Sequence, residues 1–386
     1  MFPTLGHLIN YLFGTHIIFP LPTYGFILVL AFTTGGIVLY YALKRKMRLG
    51  KVIQHHSKIQ IQGPINYPDL LIGSLFYFII AFKVIGIIVD YSIFEKDINA
   101  YIFSTQGSWL GGIIFAGIGF ALSYLKAKKS YSPKAVYEEV SLWPHQITLN
   151  IVMIAAITGI AGAKIFDILE NIGDFVRDPM DQLFSSGGFT FYGGLIVGSL
   201  SVWYYAKKKN IEILQLLDAA APAILAAYAV GRMACMMSGD GCWGIPNPAP
   251  KPEYLSFLPN WMWGYNFPHN VIKEGIKISG CHGDYCYMLK TPVFPTPFYE
   301  SSLSLIFFLF VWFIQNKIRV PGTLFFIALT LNGTARFFVE KIRVNNVYHI
   351  GNANITQAQI ISSLLIVIGI AGIIILKRLH KKGKIK

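Results

Sequence analysis

The sequence predicts an all-α polytopic membrane protein with about nine transmembrane helices, and three observations support this prediction. The chain of 386 residues is 54% hydrophobic, and its mean hydropathy is +0.51. Only 13% of the residues are charged, whereas soluble domains carry about a quarter. The apolar runs also approach the length of roughly 20 residues that crosses a bilayer.

The apolar runs give the predicted spans in chain order. They lie at about 20–43, 69–91, 108–125, 147–168, 189–206, 214–237, 298–315, 322–340 and 356–377. We interpret residues 1–386 as a single membrane domain, in which one large loop at 238–297 connects the sixth and seventh spans.

The positive charges predict which side of the membrane each loop faces. The formal net charge is +14. If the N-terminus lies outside, most of the 33 lysines and arginines fall on the cytoplasmic side, for example in KRKMRLGK at 44–51. Because cytoplasmic loops accumulate positive residues, the pattern predicts an N-out, C-in protein whose large loop is periplasmic. The same clusters suit anionic lipid, and we expect no nucleic-acid partner.

All four cysteines lie toward the predicted outer face. Cys235 ends the sixth span, while Cys242, Cys281 and Cys286 lie in the large loop. Cys281 and Cys286 are close enough in sequence to form a disulfide, although four cysteines allow three pairings. For Cys235 we expect a packing role or a disulfide rather than a nucleophilic one. The spacing lacks paired C-x-x-C units, so we expect no metal and no other cofactor.

Ionisable residues recur near the outer ends of several predicted spans. Arg232 lies near the end of the sixth span, Glu300 opens the seventh, and Arg336 and Glu340 lie near the end of the eighth. Arg336, Glu340 and Arg343 are spaced to share one helix face. Charges inside membrane spans generally face a partner or a cavity. Because one guanidinium group can donate two parallel hydrogen bonds to two phosphate oxygens, we predict a phosphate site at the boundary of the outer leaflet.

Small and aromatic residues accompany these charges. Tyr24 and Tyr192 lie at the outer starts of the first and fifth spans, and FYGG at 191–194 includes Gly193 and Gly194. Glycine lets a backbone approach a ligand closely. The alternative is that these glycines serve helix packing, where small residues are also enriched.

The stretch GRMACMMSGDGCWG at 231–244 resembles the signature of the bacterial prolipoprotein diacylglyceryl transferases. Four other stretches resemble further motifs of this family and occur in the family's order. They are LPTYGF (21–26), FTFYGGLIVG (189–198), PTPFYE (295–300) and RFFVEKIR (336–343). The resemblance covers the first span and residues 147–377. Because the family typically has seven spans, it implies that residues 52–146 are an inserted segment with two extra spans.

The resemblance implies a multi-pass enzyme of the bacterial cytoplasmic (inner) membrane. Such enzymes transfer the diacylglyceryl group of phosphatidylglycerol to the thiol of the lipobox cysteine of a prolipoprotein, in the first step of lipoprotein maturation. The products are a thioether and glycerol 1-phosphate. The implied partners are phosphatidylglycerol, the prolipoprotein signal sequence and the lipid bilayer. Two alternatives stay open: a non-catalytic lipid-binding or transport protein on the same scaffold, and a transferase with a different acceptor.

The charge pattern and the resemblance together assign roles to two sets of residues. The expected catalytic residues stabilise the leaving phosphate or move a proton, and they are Arg232, Arg336, Tyr192, Asp240 and Glu340. The expected substrate-binding residues lie in the same motifs and are Tyr24, Gly193, Gly194, Cys235, Ser238, Gly239, Tyr299, Glu300 and Arg343.

Two departures from the family pattern leave the general base open. Tyr192 and Phe294 stand where the family has histidines. Tyr192 is the first candidate by position, and Asp240 follows it closely. The further candidates are Glu340, His269 and His282. Alternatively, the positive charge of the arginines alone lowers the pKa of the acceptor thiol.

Overall fold

The computed structural model describes residues 1–17, 19–90, 101, 104–184, 190–344, 347–350 and 353–383. Within these ranges the chain is mainly helical, as the sequence predicts. Residues 91–100, 102 and 103 of the predicted insertion, and residue 189 of the predicted fifth span, lie outside the described residues.

The described helices follow the apolar runs, with shorter helices between them. In chain order they are α1 (Leu5–Phe13), α2 (Thr23–Arg48), α3 (Tyr67–Val89), α4 (Trp109–Lys129), α5 (Thr148–Glu170), α6 (Ile172–Arg177), α7 (Pro179–Phe184), α8 (Phe191–Lys208), α9 (Ile213–Ser238), α10 (Thr296–Ile314), α11 (Thr323–Val339) and α12 (Gln357–Lys381). The described strands form three antiparallel pairs, which are β1 (His55–Gln62) with β2 (Val136–Leu142), β3 (Ile276–Lys277) with β4 (Tyr287–Met288), and β5 (Val347–Ile350) with β6 (Ala353–Thr356).

Seven of the described helical segments are long and apolar enough to cross a membrane. They are α2, α3, α4, the segment Pro144–Glu170 that contains α5, α9, α10 and α12. The predicted spans at 189–206 and 322–340 coincide with α8 and α11. α8 has 18 residues and ends in two lysines, and α11 has only 17 residues. The count of nine spans and the N-out, C-in orientation remain predictions.

The chain separates into two compact units. The first unit comprises Met1–Ile53, Trp143–Met153 and Trp203–Lys386, and the second comprises Gln54–Leu142 and Ile154–Val202. Most of the predicted insertion therefore belongs to the second unit. The description below takes each unit by itself.

α9 is the central helix of the first unit. It packs against α2, α10 and α11, and α11 packs in turn against α12. The buried core between α9, α10 and α11 is built from small and aliphatic side chains, namely Ala221, Leu225, Val311, Leu324 and Ala328. Small residues let membrane helices approach closely. A Cβ atom added at Gly333 of α11 would lie 3.0 Å from the Ser362 carbonyl oxygen of α12, so this close approach favours glycine.

A buried carboxylate joins three helices of the first unit at the end remote from Arg232. Asp218 of α9 accepts hydrogen bonds from the backbone N–H groups of Gly322 (2.9 Å) and Phe325 (3.2 Å) at the start of α11. The Nζ atom of Lys46 in α2 lies 3.4 Å from the same side chain. Asp218 therefore satisfies free N–H groups at a helix N-terminus, where a negative charge is stabilised.

The second unit contains two helix pairs. α3 packs against α4, and Lys83 of α3 donates hydrogen bonds to the carbonyl oxygens of Tyr101 (2.6 Å), Ser104 (2.6 Å) and Gln106 (2.9 Å). Lys83 therefore stabilises the turn before α4. The other pair consists of α5 and α8, where a Cβ atom at Gly193 would lie 2.5 Å from the carbonyl oxygen of Gly162.

We predict that Asp218→Ala destabilises the protein by about 3 kcal/mol, because it leaves Lys46 and two helix N–H groups without their buried partner. Asp218→Asn, which keeps an acceptor oxygen, is expected to cost less. Thermal unfolding in detergent measures both variants. The matched control is Asp174→Ala, since Asp174 and its partner Arg177 are exposed and the expected change is within about 0.5 kcal/mol. An unfolding midpoint of Asp218→Ala equal to that of the parent would contradict the prediction.

Candidate active site

The predicted charged cluster forms in the first unit, where three helices end or begin. Arg232 lies near the end of α9, Glu300 is the fifth residue of α10, and Arg336 lies in the last turn of α11. A short 3-10 helix, Glu340–Ile342, follows α11 and leads to Arg343. The spacing of four residues brings Arg336 and Glu340 together, whereas the shared helix face predicted for Arg343 does not form, because α11 ends at Val339 and Arg343 has an extended backbone.

Glu300 lies at the centre of this cluster, and only 4% of its side chain is exposed. Its Oε1 atom accepts hydrogen bonds from Arg336 Nη1 at 2.7 Å and from Arg343 Nη1 at 3.1 Å. Its Oε2 atom accepts a hydrogen bond from the Tyr228 hydroxyl at 2.8 Å and forms an ion pair with Nε of Arg232. One carboxylate therefore holds three guanidinium groups.

A second carboxylate completes the cluster. Glu340, whose side chain is fully buried, lies 3.1 Å from Arg336 Nη2 and accepts a hydrogen bond from the Thr356 hydroxyl at 3.0 Å. Three guanidinium groups thus meet two carboxylates, which leaves one surplus positive charge. Arg343 Nε is buried without a hydrogen-bond partner among the described residues, and Arg336 stays 26% exposed. The cluster therefore keeps donors and positive charge for an anion.

The large loop fixes the position of Arg343 through its backbone. Gly244 pairs with Arg343 in an isolated β-bridge, and the N–H of Ile245 donates to the Ile342 carbonyl at 2.9 Å. Phe294 packs edge-on against the ring of Trp263. This position therefore offers no acid or base to the site.

A tight turn after α9 brings two thiols and a carboxylate together. Gly239 caps α9 with φ 68°, and Gly241 follows with φ 90°. The Asp240 side chain accepts hydrogen bonds from the N–H of Cys242 (3.1 Å) and from its thiol (3.5 Å). The hydrogen bond with Cys235, aided by the nearby arginines, lowers the pKa of the Cys242 thiol. A lowered pKa makes a thiol easier to deprotonate, and the thiolate is the form that acts as a nucleophile or metal ligand.

Several predicted substrate-binding residues have other contacts. The Ser238 side chain is fully buried and donates to the carbonyl oxygen of Ala234 in its own helix. The Tyr299 hydroxyl donates to the carbonyl oxygen of Met262 in the large loop at 2.6 Å. Tyr24 of α2 lies within electrostatic range of Arg232.

The remaining predicted residues belong to the second unit or are buried in the first. Tyr192, Gly193 and Gly194 belong to the second unit. There Gly193 and Gly194 make close helix contacts with α5, in agreement with the packing alternative. Cys235 is buried in the first unit, with its sulfur 4.0 Å from Arg232 Nη1.

The structure adds three residues that the sequence interpretation missed. Tyr228 donates to Glu300 and accepts from Arg232 Nε at 2.9 Å, and its spacing of four residues from Arg232 was an available signal. Thr356 contacts Glu340 from the start of α12, a contact that no local pattern indicates. Cys242 joins Cys235 only through the turn after α9.

The other two cysteines form a disulfide within the large loop. Cys281 and Cys286 are bonded, with Cα atoms 5.6 Å apart. This pairing is the one that their short separation in the sequence made possible. Cys235 and Cys242 are not part of it and remain as thiols.

We predict that Tyr228→Phe lowers the free energy of unfolding by about 1–2 kcal/mol. The lost hydroxyl removes one buried hydrogen bond from Glu300 and one from Arg232. Thermal unfolding in detergent provides the measurement. Tyr254→Phe is the matched control, since Tyr254 lies in the large loop and is 76% exposed. Identical midpoints for the two variants would show that the hydroxyl does not stabilise the cluster.

Comparison with known proteins agrees with the motifs. The family model described as "Prolipoprotein diacylglyceryl transferase" matches residues 102–375. A Clostridium botulinum (strain 657 / Type Ba4) protein named phosphatidylglycerol–prolipoprotein diacylglyceryl transferase is 29% identical over 265 residues, which are 68% of this chain and 91% of that protein. A Leptospira interrogans (strain Fiocruz L1-130) protein of the same name is 29% identical over 253 residues, 59% of this chain and 69% of its own length. Because the family model matches most of the chain, the chain belongs to the prolipoprotein diacylglyceryl transferase family.

Proposed function

We propose that this protein transfers the diacylglyceryl group of phosphatidylglycerol to the lipobox cysteine thiol of prolipoproteins, at the outer face of the bacterial cytoplasmic membrane. The observation that carries the proposal is the arrangement of Arg232, Arg336 and Arg343 around Glu300. The names of the relatives support the same donor and acceptor.

The charges of the cluster suit a phosphodiester as its ligand. Three guanidinium groups share two carboxylates, so an added phosphate anion neutralises the surplus positive charge. A guanidinium group can donate two hydrogen bonds to two phosphate oxygens, and it keeps its charge at any physiological pH. Glu300 holds Arg336 and Arg343 on one carboxylate oxygen, so both are oriented before the lipid binds. Such preorganised charge lowers the barrier of a reaction in which a phosphate leaves.

The reaction is a displacement at carbon. The acceptor thiolate sulfur forms a bond to the terminal glyceryl carbon of the diacylglyceryl group, and the bond from that carbon to the phosphate oxygen breaks with its electron pair. Glycerol 1-phosphate leaves and the thioether remains. Negative charge grows on the leaving phosphate, and the arginines face this charge. Arg232 and Arg336 are therefore assigned to stabilise it, while Arg343 binds the headgroup.

The proton of the acceptor thiol must also leave. Tyr192 stands at a position where the family has a histidine, and it remains a candidate base. Asp240 is the candidate supported by the geometry of the first unit, since its carboxylate contacts the Cys242 thiol beside Arg232. Glu340 is less suited to this role, because its buried carboxylate contacts Arg336 and Thr356. We assign Glu340 to positioning Arg336.

We predict that Arg232→Ala and Arg336→Ala each lower kcat/KM by about 10²–10³, the cost of removing one group that stabilises developing charge. The assay incubates the purified protein with phosphatidylglycerol micelles and a lipobox peptide, and mass spectrometry detects the diacylglyceryl increment on the peptide cysteine. Arg378→Ala is the matched control, because Arg378 is an exposed arginine in the last turn of α12.

Two results would contradict the proposal. Full activity in both arginine variants would show that the cluster does not act on the phosphate. No increment from folded parent protein would favour a lipid-binding role or another acceptor.

A second prediction concerns the donor lipid. Phosphatidylglycerol carries one net negative charge, whereas phosphatidylethanolamine is neutral overall and brings an ammonium group toward three arginines. We expect transfer from phosphatidylglycerol to exceed transfer from phosphatidylethanolamine at least about tenfold, which corresponds to about 1.4 kcal/mol of differential attraction. Parallel assays with micelles of each lipid measure the ratio. Equal rates would show that the surplus charge does not select the headgroup.

A further inference from the structure

Three potential metal ligands converge beside Arg232. The Sγ atoms of Cys235 and Cys242 and a carboxylate oxygen of Asp240 all lie within 4.8 Å of one another. Asp240 Oδ2 is 3.5 Å from Cys242 Sγ. A tetrahedral zinc ion with sulfur at about 2.3 Å and oxygen at about 2.0 Å holds two such ligands about 3.5 Å apart. The observed separation therefore already fits a shared ion.

We propose that Cys235, Asp240 and Cys242 bind a zinc ion whose fourth position receives the acceptor thiol. This inference rests on the proposed function and assigns a partner to the thiol that reacts. The sequence spacing argued against a metal, because Cys235 and Cys242 are seven residues apart and no histidine follows them at the spacing typical of zinc ligands. The fold removes this objection by turning the chain back over the end of α9.

The turn itself requires residues that adopt positive φ angles. Gly239 and Gly241 have φ values of 68° and 90°, which side-chain-bearing residues rarely adopt. A Cβ atom at Gly239 would also lie 2.9 Å from Cβ of Asn270. The glycines on either side of Asp240 thus let the backbone reverse direction, which places the Cys242 sulfur near that of Cys235.

Neighbouring groups orient each of the three ligands. The N–H of Cys242 donates to Asp240 Oδ1 at 3.1 Å, which leaves Oδ2 for the ion. Arg232 Nη1 lies 4.0 Å from Cys235 Sγ. The Thr296 hydroxyl donates to the carbonyl oxygen of Cys242 at 2.8 Å and ties the turn to α10. Groups that hold ligands in this way are characteristic of metal sites in proteins.

The ligand types and charges favour zinc. Two thiolates and one carboxylate carry three negative charges, and a divalent ion neutralises two of them. Thiolates select zinc over the hard ions magnesium and calcium. Three protein ligands with one open position are typical of a catalytic rather than a structural zinc site.

The zinc ion would promote deprotonation of the acceptor thiol, a role for which Tyr192 and Phe294 provide no histidine. A thiol that coordinates zinc loses its proton, here to solvent water, and remains a thiolate at neutral pH. Its sulfur then forms the bond to the glyceryl carbon while the phosphate leaves toward Arg232 and Arg336. Zinc stays divalent throughout, so the step needs no oxidant or reductant.

The test measures metal on the full-length protein without substrate. The protein carries an affinity tag free of histidine, is purified in detergent without chelators, and is analysed by inductively coupled plasma mass spectrometry. We expect about one zinc per chain, lowered at least about tenfold in Cys235→Ser and in Cys242→Ser. The matched control replaces both Cys281 and Cys286 by serine and is expected to retain zinc. Chelated protein reloaded with Co²⁺ should show thiolate-to-cobalt absorption that the two single variants lack.

Other outcomes overturn the inference. Metal-free parent protein with a Cys235–Cys242 disulfide, or with both thiols open to alkylation, rules out the site, as does zinc retained in Cys235→Ser. Lipidation of the peptide by metal-free protein leaves the proposed function intact and overturns only the zinc. Zinc bound by Cys235 and Cys242 in a protein that transfers no lipid would confirm the ligands and overturn the role of the acceptor thiol together with the proposed function.

Discussion

The ion pairs of Glu300 are the interaction on which the candidate site depends. Three guanidinium groups repel one another, and they come from α9, α11 and the segment after α11. The buried carboxylate lowers this repulsion and fixes their directions at the same time. Breaking a buried ion pair costs about 3–5 kcal/mol, so the arrangement is stiff. A stiff cluster with surplus positive charge needs little reorganisation when a phosphate arrives, which is the property that electrostatic catalysis requires.

The helices that carry these groups can approach one another closely because the residues between them are small. α9 contributes Ala221 and α11 contributes Ala328 to the core they share with α10, and Gly333 lets α11 approach the backbone of α12. Asp218 then fixes the opposite end of α9 against α2 and α11. The first unit is thus held by polar contacts at both ends and by close packing between them, a distribution suited to helices surrounded by lipid.

The sequence was sufficient to predict the helices and the charged cluster, since hydropathy locates long apolar helices and helical spacing locates shared faces. Arg232, Glu300 and Arg336 could be predicted together because each lies near the same predicted end of its span, at one membrane depth. The contacts of Tyr228 with Glu300 and of Thr356 with Glu340 depend on how α9 and α12 pack against their neighbours. Residue spacing within one helix does not predict this packing. Cys242 was placed in the loop but not beside Cys235, because the positive φ angles at Gly239 and Gly241 determine where the chain goes next. The sequence left three cysteine pairings open, and the short separation of Cys281 and Cys286 made the observed disulfide one of them.

The backbone pairing between the large loop and the segment after α11 has a consequence for design. Ile245 and Gly244 hold residues 342 and 343 by main-chain pairing, so Arg343 keeps its direction only while the loop is present. The loop therefore cannot be trimmed or exchanged as an independent recognition module. Anyone who wishes to alter acceptor choice must graft new side chains onto the existing loop path, leaving its contacts at 244 and 245 intact.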